Sequence, residues 1–328
     1  MNSKVLKVVG KGKIALTDEA LPAVGRNQMR VRTTLSLISP GTERAFILNL
    51  PNTTAEYEFA SGYAATAVVE EVGADVTAFR PGDRISNFGI GHRDYAVVDA
   101  DGAVKIPDNV TDEQAVFGAL GIICMQGVRK ARIELGESVA VFGCGPIGLL
   151  AMMLAKAAGA GCVISVDRAP NRLALARRCG ADCTADNATP EGLDDLYSAA
   201  PGGANVVIEA TGFPDAINDA LRVCARYGRV VFLGSTRGET TINVYRDIHK
   251  KGLTLIGAHA ECAPLHDNSA GFWTRKTELV TFVNLMASGR VDPTPLITNA
   301  ISKADIVDFY MQNIVTWNLT NIGTVIKW

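Results

Sequence analysis

The chain of 328 residues has little of what would tie a protein to a membrane, a nucleic acid or an oxidising compartment. No apolar stretch approaches the roughly 20 residues that a bilayer-spanning helix needs. The best candidate, 149–160, is interrupted by Lys156 and is far too short. Neither sign of charge dominates: 32 Lys and Arg stand against 34 Asp and Glu, a net charge of -2. That balance leaves no basic footprint for a phosphate backbone. The seven cysteines are scattered and odd in number, as reduced thiols are, and spell no disulfide framework. The opening residues, Met-Asn-Ser-Lys-Val-Leu-Lys-Val-Val, pass directly into strand-like alternation without an apolar core of the signal type. No internal repeat or low-complexity segment stands out. The expectation is a cytoplasmic protein with neither nucleic acid nor membrane as partner, its 48% of hydrophobic residues sufficient for two domains.

What is there concentrates at 138–167. A short apolar run, 138–142, enters Gly143-x-Gly145-x-x-Gly148, and a helical pattern leaves it (Leu149, Leu150, Met153, Leu154, Ala157). A second apolar run, 162–166, ends on Asp167, nineteen residues beyond Gly148. Strand, glycine turn, helix, strand and acid together form the dinucleotide-binding arrangement. Gly143 permits the tight turn, Gly145 lets backbone approach a pyrophosphate, and Gly148 lets helix and strand pack closely. Pro146 and Ile147 open the helix, whose N-terminus offers unpaired N–H groups and partial positive charge to phosphates. Asp167 would accept hydrogen bonds from ribose hydroxyls and repel a 2′-phosphate, so NAD is expected ahead of NADP. Arg168 and Arg172 stand beside it as groups that could take a phosphate; Arg172, at the start of the next helix, could equally point to solvent.

Around this motif the chain changes character. Up to about residue 109 it is rich in short strands (4–9, 28–36, 62–72, 96–98), punctuated by Pro81-Gly82-Asp83 and Gly89-Ile90-Gly91. Thr111 is a plausible N-cap for a helix beginning at Asp112. From 121 to 259 strands and helices alternate, which implies a parallel sheet covered on both faces. Strands are expected at 138–142, 162–166, 205–209, 229–233 and 253–257, with helices near 146–158, 171–178, 191–199 and 214–226. A polar loop, helices at 276–288 and 303–313, and a last strand at 323–328 follow.

A strand-rich first part, an inserted NAD-type domain and a return segment resemble the medium-chain dehydrogenase/reductase superfamily along essentially the whole chain. Besides the glycine turn, the likeness rests on 68–73, 80–84, Glu209-Ala210-Thr211-Gly212, Phe232-Leu233-Gly234 and 252–257. The resemblance implies an α/β fold. A GroES-like catalytic domain (1–120, completed by 260–328) would join a Rossmann doubly wound domain (121–259), with the active site in the cleft against the cofactor domain. It also implies that Ala210, Thr211, Gly212, Leu233, Gly234 and Ser235 border the nicotinamide ribose and carboxamide.

Zinc-dependent members carry Cys-Gly-(Ser/Thr)-Asp and then Gly-His-Glu. Here the matching stretches read Pro40-Gly41-Thr42-Glu43 and Gly62-Tyr63-Ala64. The cysteine position is proline (or the preceding serine, if the alignment slips by one), and the histidine is tyrosine. The third position, within 119–126, offers no obvious carboxylate. The cysteine lobe that holds structural zinc in many relatives is missing too, because 87–107 contains no cysteine. A zinc-free member is expected. One residual donor set, His259, Cys262 and His266, shares a loop and could surround an ion; the plainer reading is a polar loop.

Without zinc, a side chain must handle the proton of an alcohol. Tyr63 is the first candidate, at the vacated ligand position, and the second is Thr42, matching the hydroxyl that relays protons in zinc enzymes. Glu43 orients Thr42 or pairs with Arg44 or another arginine. His92 could contact substrate or lie at the surface. His259 and Trp273 could line the cleft, and Trp273 could equally anchor its helix. The polar loop 259–275 suggests a sugar, polyol or cyclitol, as sorbitol- and threonine-dehydrogenase-like relatives also imply. The Ser-Pro-Gly-Thr-Glu variant resembles a zinc-lacking branch that includes a bacteriochlorophyllide-type dehydrogenase, which would imply a larger biosynthetic alcohol as an alternative substrate. The leading expectation is NAD(H)-dependent interconversion of a secondary alcohol and a ketone. The alternatives are an NADPH-dependent quinone or enoyl reductase and a non-catalytic NAD-binding protein. A homodimer or homotetramer is expected, paired through a strand at 240–244.

Overall fold

The alternating second half of the chain becomes one six-stranded sheet in which every pairing is parallel. Its spatial order is Cys183–Asp186, Cys162–Asp167, Ser138–Phe142, Ala204–Glu209, Cys224–Phe232, Thr254–Gly257. The chain builds outward from Ser138–Phe142 on one side, then returns to its other side. This leaves a topological switch point at the carboxyl ends of the central strands. Register makes the switch point sharp: Phe142 pairs with Val166 on one side and Glu209 on the other. Gly143, Asp167 and Ala210 therefore leave the sheet at one level. The buried layer of Ala140, Phe142, Ile164, Val166, Val207 and Val230 holds the strands in place. Helix Pro146–Ala157 is apolar on every face as far as Ala155, with every residue from Gly148 to Ala155 buried.

The computed structural model describes every residue except 190, 265 and 319. Two units emerge, Met1–Ala119 with Leu279–Trp328, and Leu120–Glu278. The return falls at Leu279, later than the expected 260. The physical reason is a fork of hydrogen bonds at 2.8 Å from Arg129 to the fully buried Glu278, which ties the segment before 279 to the second unit.

The first unit holds a three-stranded antiparallel sheet (Lys13–Ala20, Asn2–Gly10, Phe59–Ala60) and a seven-stranded mixed sheet centred on Gln28–Leu37 and Ala64–Val72. Met29, Val31, Ala65, Ala67, Val69 and Ile85 form one core. Leu6, Val8, Ile38, Ile47, Ile306, Tyr310 and Ile326 form another. Helix Pro40–Leu48 was not expected, although proline at its first position and Glu43 in its first turn are ordinary start signals. Strands Lys13–Ala20, Cys183–Asp186 and Ile297–Ser302 and helix Gly118–Ala131 were likewise unread.

Two expectations are corrected. Residues 240–243 form no strand; Asn243 accepts a hydrogen bond from Arg246 N at 2.9 Å and starts a wide helical turn, Val244–His249. On that side the edge of the parallel sheet is Thr254–Gly257, the opposite edge being Cys183–Asp186. The helix expected to 226 ends at Val223, where Cys224 takes extended backbone and begins the next strand.

Candidate active site

The glycine turn of the second unit has the geometry that its residues predict. Gly143 has φ +91°, and its N–H donates to Val166 O at 2.8 Å. A side chain on Gly148 would lie 1.7 Å from Gly143 O, so only glycine lets the helix start this close. At Gly145 a Cβ would meet nothing within 4 Å. Structure requires no glycine there; the open space is what a phosphate would need. Pro146 takes the first helical position and no side chain caps the helix at Gly145, which leaves its N-terminal field available to an anion.

Asp167 is locked to this turn. Its Oδ2 accepts from Cys144 N at 2.7 Å and its Oδ1 from Ala169 N at 2.9 Å. Each oxygen keeps a lone pair for a ribose hydroxyl. Arg172 does not point to solvent: its guanidinium lies 3.8 Å from Asp167 Oδ2, with the side chain 23% exposed. Arg168 follows directly on Asp167, at the open end of the strand.

Beside the turn, Glu209 organises the next two segments, a role the sequence reading missed. Its Oε1 accepts from Thr211 N at 2.7 Å and from the Thr211 hydroxyl, while its backbone O accepts from Leu233 and Gly234. Burial pushes its carboxyl above the usual range, more than the Thr211 and Gly212 contacts bring it down. Gly212 (φ +72°) and Gly234 pack so tightly that a Cβ on Gly234 would sit 2.7 Å from Gly212 N. Ala210, Thr211, Gly212, Leu233, Gly234 and Ser235 are thus brought together. The Gly-flanked acid of Glu-Ala-Thr-Gly was the available signal.

The first unit contains a buried polar cluster assembled from six segments. Glu43, on helix Pro40–Leu48, is its centre. Oε1 accepts from Ser39 N at 2.7 Å; Oε2 accepts from Ser61 Oγ at 2.9 Å and from the Tyr310 hydroxyl. His92 Nε2 donates to both oxygens, at 3.2 and 3.1 Å. On the far side of the ring, Ser36 Oγ lies 2.8 Å from Nδ1 and accepts from Trp328 Nε1 at 2.8 Å. Indole can only donate and an ionised carboxylate can only accept. The arrangement in which every group is satisfied has Ser36 donating to Nδ1 and the imidazole hydrogen on Nε2. Tyr63 packs on Phe88 and donates to Ser39 Oγ at 2.8 Å. Burial alone would raise the Glu43 carboxyl. Coulombic attraction to His92 and its hydrogen bond, with the Tyr310 and Ser39 bonds, outweigh burial and hold it below its usual range. Burial and the Glu43 charge push the Tyr310 phenol well up.

Two expectations change here. Glu43 pairs with His92 and not with Arg44 or another arginine, and Thr42 takes no part in its bonds. His92 is no surface residue: it has no exposed area, and both ring nitrogens are engaged, so it has nothing left to offer a substrate. Trp273 stacks on Arg129 with the guanidinium carbon 3.5 Å from the ring centre, the anchoring arrangement of the two considered. His259 is exposed and caps the short turn Ala260–Cys262 through Glu261 N. Residue 265 of that loop lies outside the described residues.

A catalytic zinc does not fit the donors present. The places where the superfamily holds it are Pro40, Tyr63 and Ala64, without thiolate, imidazole or carboxylate among them. Among the described residues no three His, Cys, Asp or Glu gather as a metal site, and His259, Cys262 and His266 do not form one.

Comparisons with known proteins agree with this architecture. The family model for zinc-binding dehydrogenases matches residues 146–266. D-guloside 3-dehydrogenase of Escherichia coli K12 is 30% identical over 260 residues, covering 78% of this chain and 73% of that protein. A structure from Sinorhizobium meliloti 1021 bound to NADP superposes with a TM-score of 0.84 at 24% identity, covering 100% of both chains. One from Escherichia coli CFT073 with NADH gives a TM-score of 0.84 at 20% identity, covering 100% of this chain and 99% of that one. The chain belongs to the zinc-binding dehydrogenase family, among the medium-chain, zinc-type alcohol dehydrogenases.

Proposed function

We propose that this protein is a zinc-independent oxidoreductase that interconverts a secondary alcohol and a ketone with NAD(H), on a polyhydroxylated substrate such as a sugar, polyol or cyclitol. The observation that carries the reading is the substituted donor set: a hydroxyl, Tyr63, stands where the superfamily keeps a metal ligand, while the glycine turn keeps open space at Gly145 and a bonded Asp167. When bound, the nicotinamide supplies or accepts the hydride. The turn at Gly143–Gly148 would receive the pyrophosphate, and Asp167 would accept from the ribose hydroxyls. Ala210–Gly212 and Leu233–Ser235 would hold the nicotinamide end. Tyr63 would hydrogen-bond the substrate oxygen and carry its proton, the work a metal does elsewhere. The D-guloside enzyme supports the polyhydroxylated class.

The test is turnover of a panel of polyols, sugars and simple alcohols with NAD and with NADP, after exhaustive chelation. Activity with NAD that survives chelation is expected. Activity abolished by chelator and restored by zinc would overturn the zinc-free reading. One observation favours a second reading, an NADPH-dependent quinone or enoyl reductase: Arg172 lies close enough to Asp167 to neutralise it and meet a 2′-phosphate. Strong NADPH preference with an enone or quinone would establish it. We further propose that copies pair along the edge strand Thr254–Gly257, where Leu255 is 38% exposed. Leu255→Lys is expected to shift the sedimentation of a dimer toward a monomer.

A further inference from the structure

The polar cluster of the first unit contains one hydrogen that its neighbours do not use. Ser61 and Tyr310 give their protons to Glu43, Ser36 satisfies His92, and Tyr63 gives its proton to Ser39 Oγ. Glu43 receives four donors, which fills its lone-pair sites. It is therefore saturated as an acceptor and has no position left for a substrate proton. The Ser39 hydroxyl proton, by contrast, has no acceptor among the described residues. Ser39 occupies the N-cap of helix Pro40–Leu48, where a serine ordinarily turns its hydroxyl onto the helix N–H groups. Here it makes no such cap bond. Glu43 holds its backbone N–H instead, and the hydroxyl is left to Tyr63. Ser39 keeps 6% of its surface exposed, and Tyr63 is half-buried.

We propose that Ser39 is a catalytic residue, the group that exchanges a proton with the substrate oxygen, that Tyr63 reloads it, and that Glu43 is the positioning residue that holds it. This rests on the reading of the protein as a dehydrogenase without zinc and changes which hydroxyl meets the substrate. In reduction, a nicotinamide cofactor held at the Gly143–Gly148 turn would supply the hydride to the ketone carbon, and the carbonyl π pair would move to oxygen. That oxygen takes the proton of Ser39 Oγ, Ser39 Oγ takes the Tyr63 proton, and the Tyr63 phenolate recovers one from water. The cofactor's hydride would supply the two electrons of the reduction, and the two hydroxyl protons move together, which avoids a free serine alkoxide. Alcohol oxidation runs the same steps backwards. The buried Glu43 carboxylate fixes Ser39 through the Ser39 backbone N–H.

The experiment compares the wild type with Ser39→Ala, Ser39→Thr, Tyr63→Phe and the Ser39→Ala/Tyr63→Phe double variant. The probes are sorbitol, myo-inositol and 2,3-butanediol with NAD, and NADH affinity is followed separately by fluorescence. Ser39→Ala keeps the backbone bond to Glu43. It is expected to lower kcat by about 10²–10³-fold with NADH affinity unchanged. Ser39→Thr is expected to restore most of the loss. Ser39→Ala and Tyr63→Phe are expected not to add in the double variant, as befits two members of one relay. The proton inventory of the wild type in mixed H₂O and D₂O needs no variant to fold, and a bowed plot is expected from two protons in flight. A linear plot, or Ser39→Ala at wild-type kcat while Tyr63→Phe is crippled, overturns the role of Ser39 and leaves Tyr63 as the direct donor. A wild type inert toward every probe, yet still binding NADH, overturns the dehydrogenase reading and this relay with it.

Discussion

Two buried glutamates, Glu43 and Glu209, show how one residue type is put to opposite uses. Glu43 collects four donors and is held below its usual pKa; Glu209 is buried with Oε2 unbonded and is pushed above it. Linkage then gives opposite signs. The contribution of Glu43 is fully present above its unfolded value, near 4.5, and is lost as pH falls through the lower folded value. That of Glu209 is present below its unfolded value and is lost as pH rises through the higher folded one. In thermal melts, Glu43→Gln is therefore expected to remove part of the loss of Tm below pH 4.5, while lowering Tm at neutral pH. The Tm difference between Glu209→Gln and the wild type is expected to move in favour of the variant as pH rises from 4.5 toward 7. A parallel pH dependence in the two variants would contradict the assignment.

At the scale of the element, the glycine turn separates glycines required by the fold from those required by a ligand. A Cβ at Gly148 would collide with the Gly143 carbonyl, whereas one at Gly145 would enter open space. Gly148→Ala is expected to lower Tm and abolish NADH binding together. Gly145→Ala is expected to keep Tm and weaken NADH at least tenfold, by calorimetry or fluorescence. Equal losses of stability in the two variants would remove the reason for placing a pyrophosphate there. Helix Asp112–Ala115 offers a simpler check, because Thr111 and Gln114 form a reciprocal capping box. Thr111→Ala should cost about 1 kcal/mol in denaturant unfolding. This cap was legible because a capping box spans only four residues. The helix at Pro40–Leu48 carried comparable signals. Pro40 to Glu43 also match the family's ligand motif, which masks the start of an element.

For the whole molecule, the expected outcome is that metal analysis of purified protein finds no stoichiometric zinc and that chelation changes neither Tm nor turnover; a stoichiometric, activity-linked metal would contradict it. The sequence by itself determined the glycine turn proposed to hold the cofactor. Strand, turn, helix and acid are local patterns within 138–167, and the parallel sheet that carries them follows from repeated strand–helix alternation. It also determined that the usual zinc donors are replaced, since that is a matter of residue identity. Only the tertiary structure decided which polar groups gather around Glu43. Ser36, Ser39, Glu43, Ser61, His92, Tyr310 and Trp328 come together from segments up to 292 residues apart, and no spacing rule links them. Burial of a carboxylate forced the choice, because an ionised group removed from water must be met by donors from wherever the fold can bring them.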